Sequence, residues 1–336
     1  MSLTPREIPT GAVRYNTDSN KMEVYIGSTW MQVSTSQSLE GVGGRGISAG
    51  GASPGGSPYA RVNTIEYINI STMGDAVDFG DLSRINSGGA TSASTTRGVY
   101  AGGGGPTTNV VDHLTIATQG NSVDIGDLTV ARGQLAGFSN QVRAIQGGGA
   151  TPSQSNVIDF LTIANLGNAT DFGDLIDHTV DYLNGGANPT RGYVAGGNTP
   201  SKVNNIQFVT IMTTGNALDF GDLTVARRMV ETINTTIRGV LIGGETPSDT
   251  NVIDFITIPT TGNAQDFGDV MDFRREMNAA MASPTRGVYG GGYKSPTAIK
   301  TMEFINPVSK GNSAEFGDLT ATVYANRGLS NTHGGL

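Results

Sequence analysis

Cysteine is missing from the 336-residue chain, which removes disulfides, thiolate metal centres and cysteine nucleophiles at once. Charge is sparse as well: 15% of residues are charged, and 29 acids against 21 bases leave a formal charge of −8. That shortage of cations argues against a nucleic-acid surface, because neutralising phosphates takes a clustered basic patch. No apolar run approaches the roughly 20 residues of a membrane-spanning helix. The opening Met-Ser-Leu-Thr-Pro-Arg-Glu lacks the apolar stretch of a secretory signal, so the expectation is synthesis in a cytoplasm with neither membrane nor nucleic acid as partner. What the chain has in excess is glycine, 49 residues, about twice the average share of roughly 7%. The glycines have no three-residue period, which excludes collagen. A hydrophobic fraction of 37% still allows a packed core.

The sequence repeats. A Gly-Asp pair places its acid at Asp81, Asp127, Asp174, Asp222, Asp269 and Asp318, at intervals of 46, 47, 48, 47 and 49. A second ladder of arginines falls at Arg45, Arg97, Arg143, Arg191, Arg238 and Arg286 with nearly the same period. In the unit that opens at Arg238, RGVLIGG is a short strand ending in a Gly pair, and ETPSDTN is a loop. NVIDFITI is a strand rich in β-branched and aromatic residues. Gly262-Asn263 suits a tight type II′ hairpin, AQDFGDV is a third strand, and the stretch before the next Arg-Gly is a fourth, rich in small residues. Four antiparallel strands in about 47 residues, six times over, has the size of a propeller blade. NVIDFITI is almost continuously apolar, so both its faces are expected to be covered. The first unit has no small-residue strand of its own, whereas a spare one ends the chain. The residues from Arg327 to Leu336 are therefore expected to pair with the strand after Arg45.

The Gly pair followed by a loop and an acidic-aromatic pair, as in Ile65–Ile68 (IEYI) and Met302–Ile305 (MEFI), resembles the kelch repeat. No unit carries the Trp that kelch repeats place before strand four. Ser122–Thr129 (SVDIGDLT) resembles the Asp-box turn of sialidase propellers, a structural hairpin. The segment from Gly11 to Val33, with a hairpin at Asp18-Ser19-Asn20 and the only Trp, Trp30, resembles a short module of bacteriophage tail-fibre and appendage proteins. The whole pattern is similar to structural proteins of cyanophages and related phages. These resemblances imply an all-β protein: a six-bladed kelch-like propeller over residues 41–336, behind an N-terminal attachment hairpin over residues 1–40. They also imply a virion component, present in multiple copies, that joins other virion structural proteins and presents the propeller to a host surface glycan or protein.

The residues themselves give mostly structural roles. Asp78, Asp124, Asp171, Asp219, Asp266 and Glu315, with the Gly-Asp acids, read as acceptors of backbone N–H groups at a bulged turn, the alternative being Ca²⁺ sites. Phe79 and Leu82 both suit the core, which requires a bulge at Gly80. The buried-strand series Glu66, Asp112, Asp159, Gln207, Asp254 and Glu303 needs partners, and the Arg-Gly arginines are the expected donors. His113 stands where the other units have an aromatic; His178 and His333 are expected near the central channel. No metal-ligand spacing occurs, and no cofactor is called for. Gly51-Ala52-Ser53-Pro54-Gly55 matches a nucleophile elbow but lacks its strand-to-helix setting. Binding is expected in the variable loops after each Gly pair, with Tyr59, Thr107, Ser153, Ser201, Ser248, Tyr293 and Lys294 as ligand-facing candidates. Tyr15, the Tyr25-Ile26 pair and Trp30 are the attachment candidates. The expectation is a non-enzymatic adhesive or structural protein, with a decoration protein as the alternative and a carbohydrate-active enzyme behind it.

Overall fold

The computed structural model describes residues 9, 11–16, 21–26, 29–32, 44–53, 60–165, 167–176, 182–271, 275, 279–294 and 296–336. Contacts divide the chain into two units, Met1–Val42 and Gly43–Leu336. In the first, three antiparallel strands, Val13–Asn16, Lys21–Ile26 and Thr29–Gln32, form one sheet in chain order. The expected hairpin thus gains a third strand, and its turn at Asp18-Ser19-Asn20 lies outside the described residues.

The second unit is all β, of a propeller-like class, with no helix among the described residues. It is built from four-stranded antiparallel sheets, one per sequence repeat. The fifth of these runs Glu231–Asn234, Arg238–Ile242, Val252–Thr257 and Gln265–Asp269, from innermost to outermost strand. The innermost strands of the second, third, fourth and sixth sheets are Ala90–Ala93, Ala136–Ser139, Asn184–Ala187 and Ala279–Ala282. The first sheet takes its innermost strand from the other end of the chain: Arg327–Ser330 pairs antiparallel with Arg45–Ala49, Leu329 opposite Ile47. Innermost strands contact one another in chain order, and the last contacts that of the second sheet.

Hydrophobic burial explains why the strands are apolar on both faces. Each core cluster lies between two sheets rather than within one; Phe138, Ile145 and Phe172 of the third sheet pack with Val194, Val209 and Ile211 of the fourth. A cluster of the same kind joins Val288 and Phe316 of the sixth sheet to Ile68 and Ile70 of the first. Edge-to-face aromatic pairs recur at centroid distances of 5.9–6.3 Å, Phe160–Phe172 and Phe304–Phe316 among them, each adding about 1 kcal/mol beyond its area. In the second sheet the aromatic position holds His113, half-buried beside Arg97, and burial together with that arginine lowers its pKa.

The bulge expected at Gly80 is present. Ile65 faces Gly80 while Glu66 faces Asp78, so Phe79 is the extra residue and both Phe79 and Leu82 reach the core. The expected turn at Gly262-Asn263 is not. The turn closes earlier, with Thr260 N–H donating to Thr257 O, and Gly262 has φ +151°, outside a type II′ corner. Gly262-Asn263-Ala264 instead clasps the preceding sheet. Gly262 N–H donates to Phe220 O at 2.8 Å, Ala264 N–H to Asp222 O at 2.8 Å, and Asp222 N–H to Asn263 Oδ1 at 3.1 Å. The bulge glycine faces the clasp glycine: a Cβ on Gly221 would stand 2.6 Å from the carbonyl carbon of Gly262. Equivalent bonds join Gly215 to Phe172 and Gly311 to Phe267. Between the sixth and first sheets the clasp is Gly74 N–H to Phe316 O and Ala76 N–H to Asp318 O, with Asp75 Oδ1 in the place of the Asn.

Two outcomes test this arrangement. Asn263→Ala removes one acceptor from a largely exposed amide and is expected to cost about 1 kcal/mol in denaturant unfolding; no loss contradicts the clasp. Deleting Arg327–Leu336 strips the first sheet of its innermost strand, so the truncated protein is expected to lose its single cooperative transition or aggregate. Melting like the full chain contradicts the assigned pairing.

Candidate functional site

The repeated polar residues are spent on fastening. Each member of the buried-strand series accepts a hydrogen bond from the second residue beyond the outermost strand of the preceding sheet. Thr224 donates through Oγ1 (2.7 Å) and N–H (3.2 Å) to Asp254, Ser83 does the same to Asp112, and Thr320 donates to Glu66. Gln207 receives Ile176 N–H, and Glu303 receives Met271 N–H. Buried arginines join in two places, Arg132 with Asp159 at 2.5 Å and Arg227 with Asp254 at 3.1 Å, all four side chains fully enclosed.

The Arg-Gly arginines are therefore not the donors expected for these acids. Strand register is the reason: Arg97 lies opposite Thr115, whereas Asp112 lies opposite Tyr100, three residues along. Each arginine instead reaches the carbonyl end of the next sheet's third strand, as Arg191 does to Ile258 O (2.9 Å) and Arg286 to Ser71 O (2.8 Å). Most also stack on an aromatic ring of their own sheet, Arg191 at 4.3 Å from the Phe208 centroid. The outer acids depart from expectation too. Asp124 accepts one backbone N–H, from Gly126, but at the Gly-Asp acids it is the main chain that is clasped. Asp78, Asp124 and their equivalents stand exposed on the outermost strands, where repeated charge opposes edge-to-edge pairing. Among the described residues no three acidic or histidine side chains converge to hold a metal ion.

Between neighbouring innermost strands, serine side chains serve the strand edges. Ser139 Oγ accepts from Ala93 N–H and donates to Ala93 O, and Ser330 repeats this at Ala282. A cavity of about 60 Å³ remains among the six innermost strands, lined in part by Asn184, Glu231, Arg327 and His333. His333 accepts Gly335 N–H at Nδ1 and meets Ala93 O through Nε2 at 2.9 Å, and burial lowers its pKa. His178 lies outside the described residues. Glu231 accepts from Asn184 Nδ2 at 2.7 Å, and burial pushes its carboxyl up to about 8 against the opposing charge of Arg327. Two residues before an innermost strand, Gln134, Tyr182, Met229 and Ala325 take left-handed backbone angles, φ +54° to +59°. Their main chains link one sheet to the next: Tyr182 N–H to Gln134 O, Met229 N–H to Tyr182 O, and Gly88 N–H to Ala325 O.

The loop candidates share the end of the sheets opposite the ladder arginines. Thr107, Ser153, Ser201, Ser248 and Lys294 are exposed; Tyr293 is half-buried, its OH donating to Pro296 O. Tyr59 lies outside the described residues. Ser53, of the elbow-like motif, sits in a two-residue strand opposite Ala60. Several of the loops fold into two-stranded hairpins such as Asn198–Thr199 with Ser201–Lys202. What the sequence reasoning missed is an ionic network beside them. Glu245 receives Arg228 Nε at 2.7 Å, Arg275 Nη1 at 3.2 Å and Lys202 Nζ at 3.4 Å, and Arg275 also meets Asp249 at 3.5 Å. Burial raises the Glu245 pKa, but the Arg228 hydrogen bond and the three positive charges outweigh it and leave the carboxyl lowered.

In the N-terminal sheet, register separates the attachment candidates. Val13 faces Val24, which faces Met31, while Tyr25 faces Trp30. One side thus carries Val13, Tyr15, Ile26 and Met31, each 50–58% exposed. The other holds Arg14 over the Trp30 ring at 4.1 Å, Trp30 edge-on to Tyr25, and an Arg14–Glu23 ion pair. Neither a scan of protein-family models nor a search of curated proteins returns a match to the chain.

Glu231 sets a pH dependence. A carboxyl whose folded pKa exceeds its unfolded value holds more proton when folded, so stability is full below about 4.5 and falls as pH rises toward about 8. Denaturant melts at pH 5 and pH 8 are expected to show Glu231→Gln losing less stability over that interval than the parent. Equal losses contradict the assignment.

Proposed function

We propose that the chain is a bacteriophage virion appendage protein. In this reading residues 41–336 are a six-bladed, kelch-like propeller sealed by the C-terminal strand. Residues 1–40 attach it to other virion structural proteins, and the loop end of the blades meets the host surface. The chain binds and does not catalyse, needs no cofactor, and is present in several copies per particle.

The propeller part is supported by fastening that runs sheet to sheet in one direction and returns from the sixth to the first. The attachment part rests on one observation. The N-terminal sheet has an uncharged side of Val13, Tyr15, Ile26 and Met31 that is half or more open to solvent. An isolated three-stranded sheet gains its stability from an apolar face that something covers, and contiguous exposed apolar patches mark interaction sites. Phage origin itself is supported by the sequence resemblance.

Deleting residues 1–40 is expected to leave a repeat region that still melts cooperatively but no longer enters particles, measured as its amount in purified virions. Undiminished incorporation contradicts the attachment role.

A further inference from the structure

The repeats supply an internal control for the loop end of the sheets. At successive junctions the start of a loop hairpin makes a backbone bridge to the segment following the neighbouring outermost strand. The bridged pairs are Ser87 with Gly104, Gly133 with Ala150, Arg228 with Glu245, Arg275 with Tyr293, and Tyr324 with Ala52. The bridge is main-chain only, and Gly133–Ala150 makes it with nothing larger than a methyl group. Bulky charged and aromatic side chains at the same positions elsewhere are not required by the fold. Nor are they scattered: they occupy the consecutive junctions from the fourth sheet to the sixth and on to the first.

There they form one connected surface. Arg228 lies 5.0 Å from the Tyr182 ring centroid and Arg275 lies 5.2 Å from that of Tyr293, which meets Tyr324 edge-on at 5.7 Å. Glu245 pairs with both guanidinium groups, and Asp249 with that of Arg275. Lys202, Arg228 and Arg275 keep 23–29% of their side chains open, while Glu245 and Asp249 keep 10–16%. The cations are therefore more open to solvent than the carboxylates that hold them. Three positive charges stand against two negative ones, with exposed Lys294 beside Tyr293, on a chain whose formal charge is −8.

Fixed guanidinium planes suit bidentate pairing with planar acid groups. Because they are held before a ligand arrives, little side-chain freedom is lost on binding. We propose that this sector binds an anionic saccharide, its acid groups meeting Arg228, Arg275 and Lys202 and its sugar rings lying against the Tyr293–Tyr324 side. The inference rests on the reading of the loop end as the host-facing surface and names the ligand class for it.

Uronate and phosphorylated sugars share this chemistry, and the test separates them. The full chain is titrated calorimetrically with an oligogalacturonate, a neutral galactose oligomer and a phosphorylated mannose oligomer. Binding of at least one anionic oligomer is expected, weakening about tenfold when salt rises from roughly 0.05 to 0.5 M, with no binding of the neutral one. Which anionic oligomer binds identifies the source of the charge. Arg275→Met and Lys202→Met are each expected to weaken binding about tenfold, the loss of one charge-assisted contact. Thr118→Ala, an exposed residue just past Thr115 at the opposite end of the sheets, is expected to leave it unchanged. Lys202 is partly exposed, so its variant stays informative if Arg275→Met melts early. Absence of binding to both anionic oligomers, equal binding of the neutral one, or full affinity in Lys202→Met overturns the proposal. Host cells that adsorb the chain while both oligomers fail would sink this inference and spare the adhesion reading. Failure to adsorb would remove both.

Discussion

The lateral junction between neighbouring sheets is the constraint from which the rest of the structure follows. A four-stranded sheet of about twenty residues cannot bury an apolar interior alone, and here every core cluster lies between two sheets. Hydrophobic burial is non-directional and does not fix the offset of one sheet on the next. The hydrogen bonds do. The Gly-Asn-Ala clasp or its Ser and Asp equivalents, the buried acid (Gln207 at one junction) and the ladder arginine fix three separate points of each junction. Because the partners are backbone amides and carbonyls, a small slip would leave buried polar groups unmatched, at about 1–3 kcal/mol each.

The same logic explains the composition. Glycine is abundant because two backbones touch at the clasp: Gly221 and Gly262 face each other with no room for a methyl group. Serines stand at two innermost strands where an edge needs a partner: Ser139 satisfies Ala93 and Ser330 satisfies Ala282. Acids decorate the outermost strands, which are edges as well. Charge is sparse elsewhere since many of the ionised groups have a fastening role.

Legibility in the sequence followed these roles. The strands, the bulge at Gly80, the burial of both strand faces and the partner of the C-terminal strand were readable, because periodicity and the side-chain sequence of a strand report local geometry directly. The hairpin turn was misplaced because Gly-Asn is a turn signal in isolation, whereas here its donors and acceptor face another sheet. Asp254 was given the wrong partner for a related reason. Spacing shows that an acid and an arginine recur together, but not that register puts Arg238 opposite Thr257, three residues from that acid. The ionic network around Glu245 is not legible in the sequence because its members come from three different repeats, and only the fold brings them together. The same bridge is made by Gly133–Ala150 in one junction and by Arg228–Glu245 in another.

Amide hydrogen exchange at the junction between the sixth and first sheets tests the account most directly. If fastening returns from the last sheet to the first, the amides of Gly74, Ala76 and Asp318 exchange as slowly as those of Gly262, Ala264 and Asp222 at an interior junction. Exchange of the first three at the rate of an unstructured chain, with the latter three protected, would contradict it.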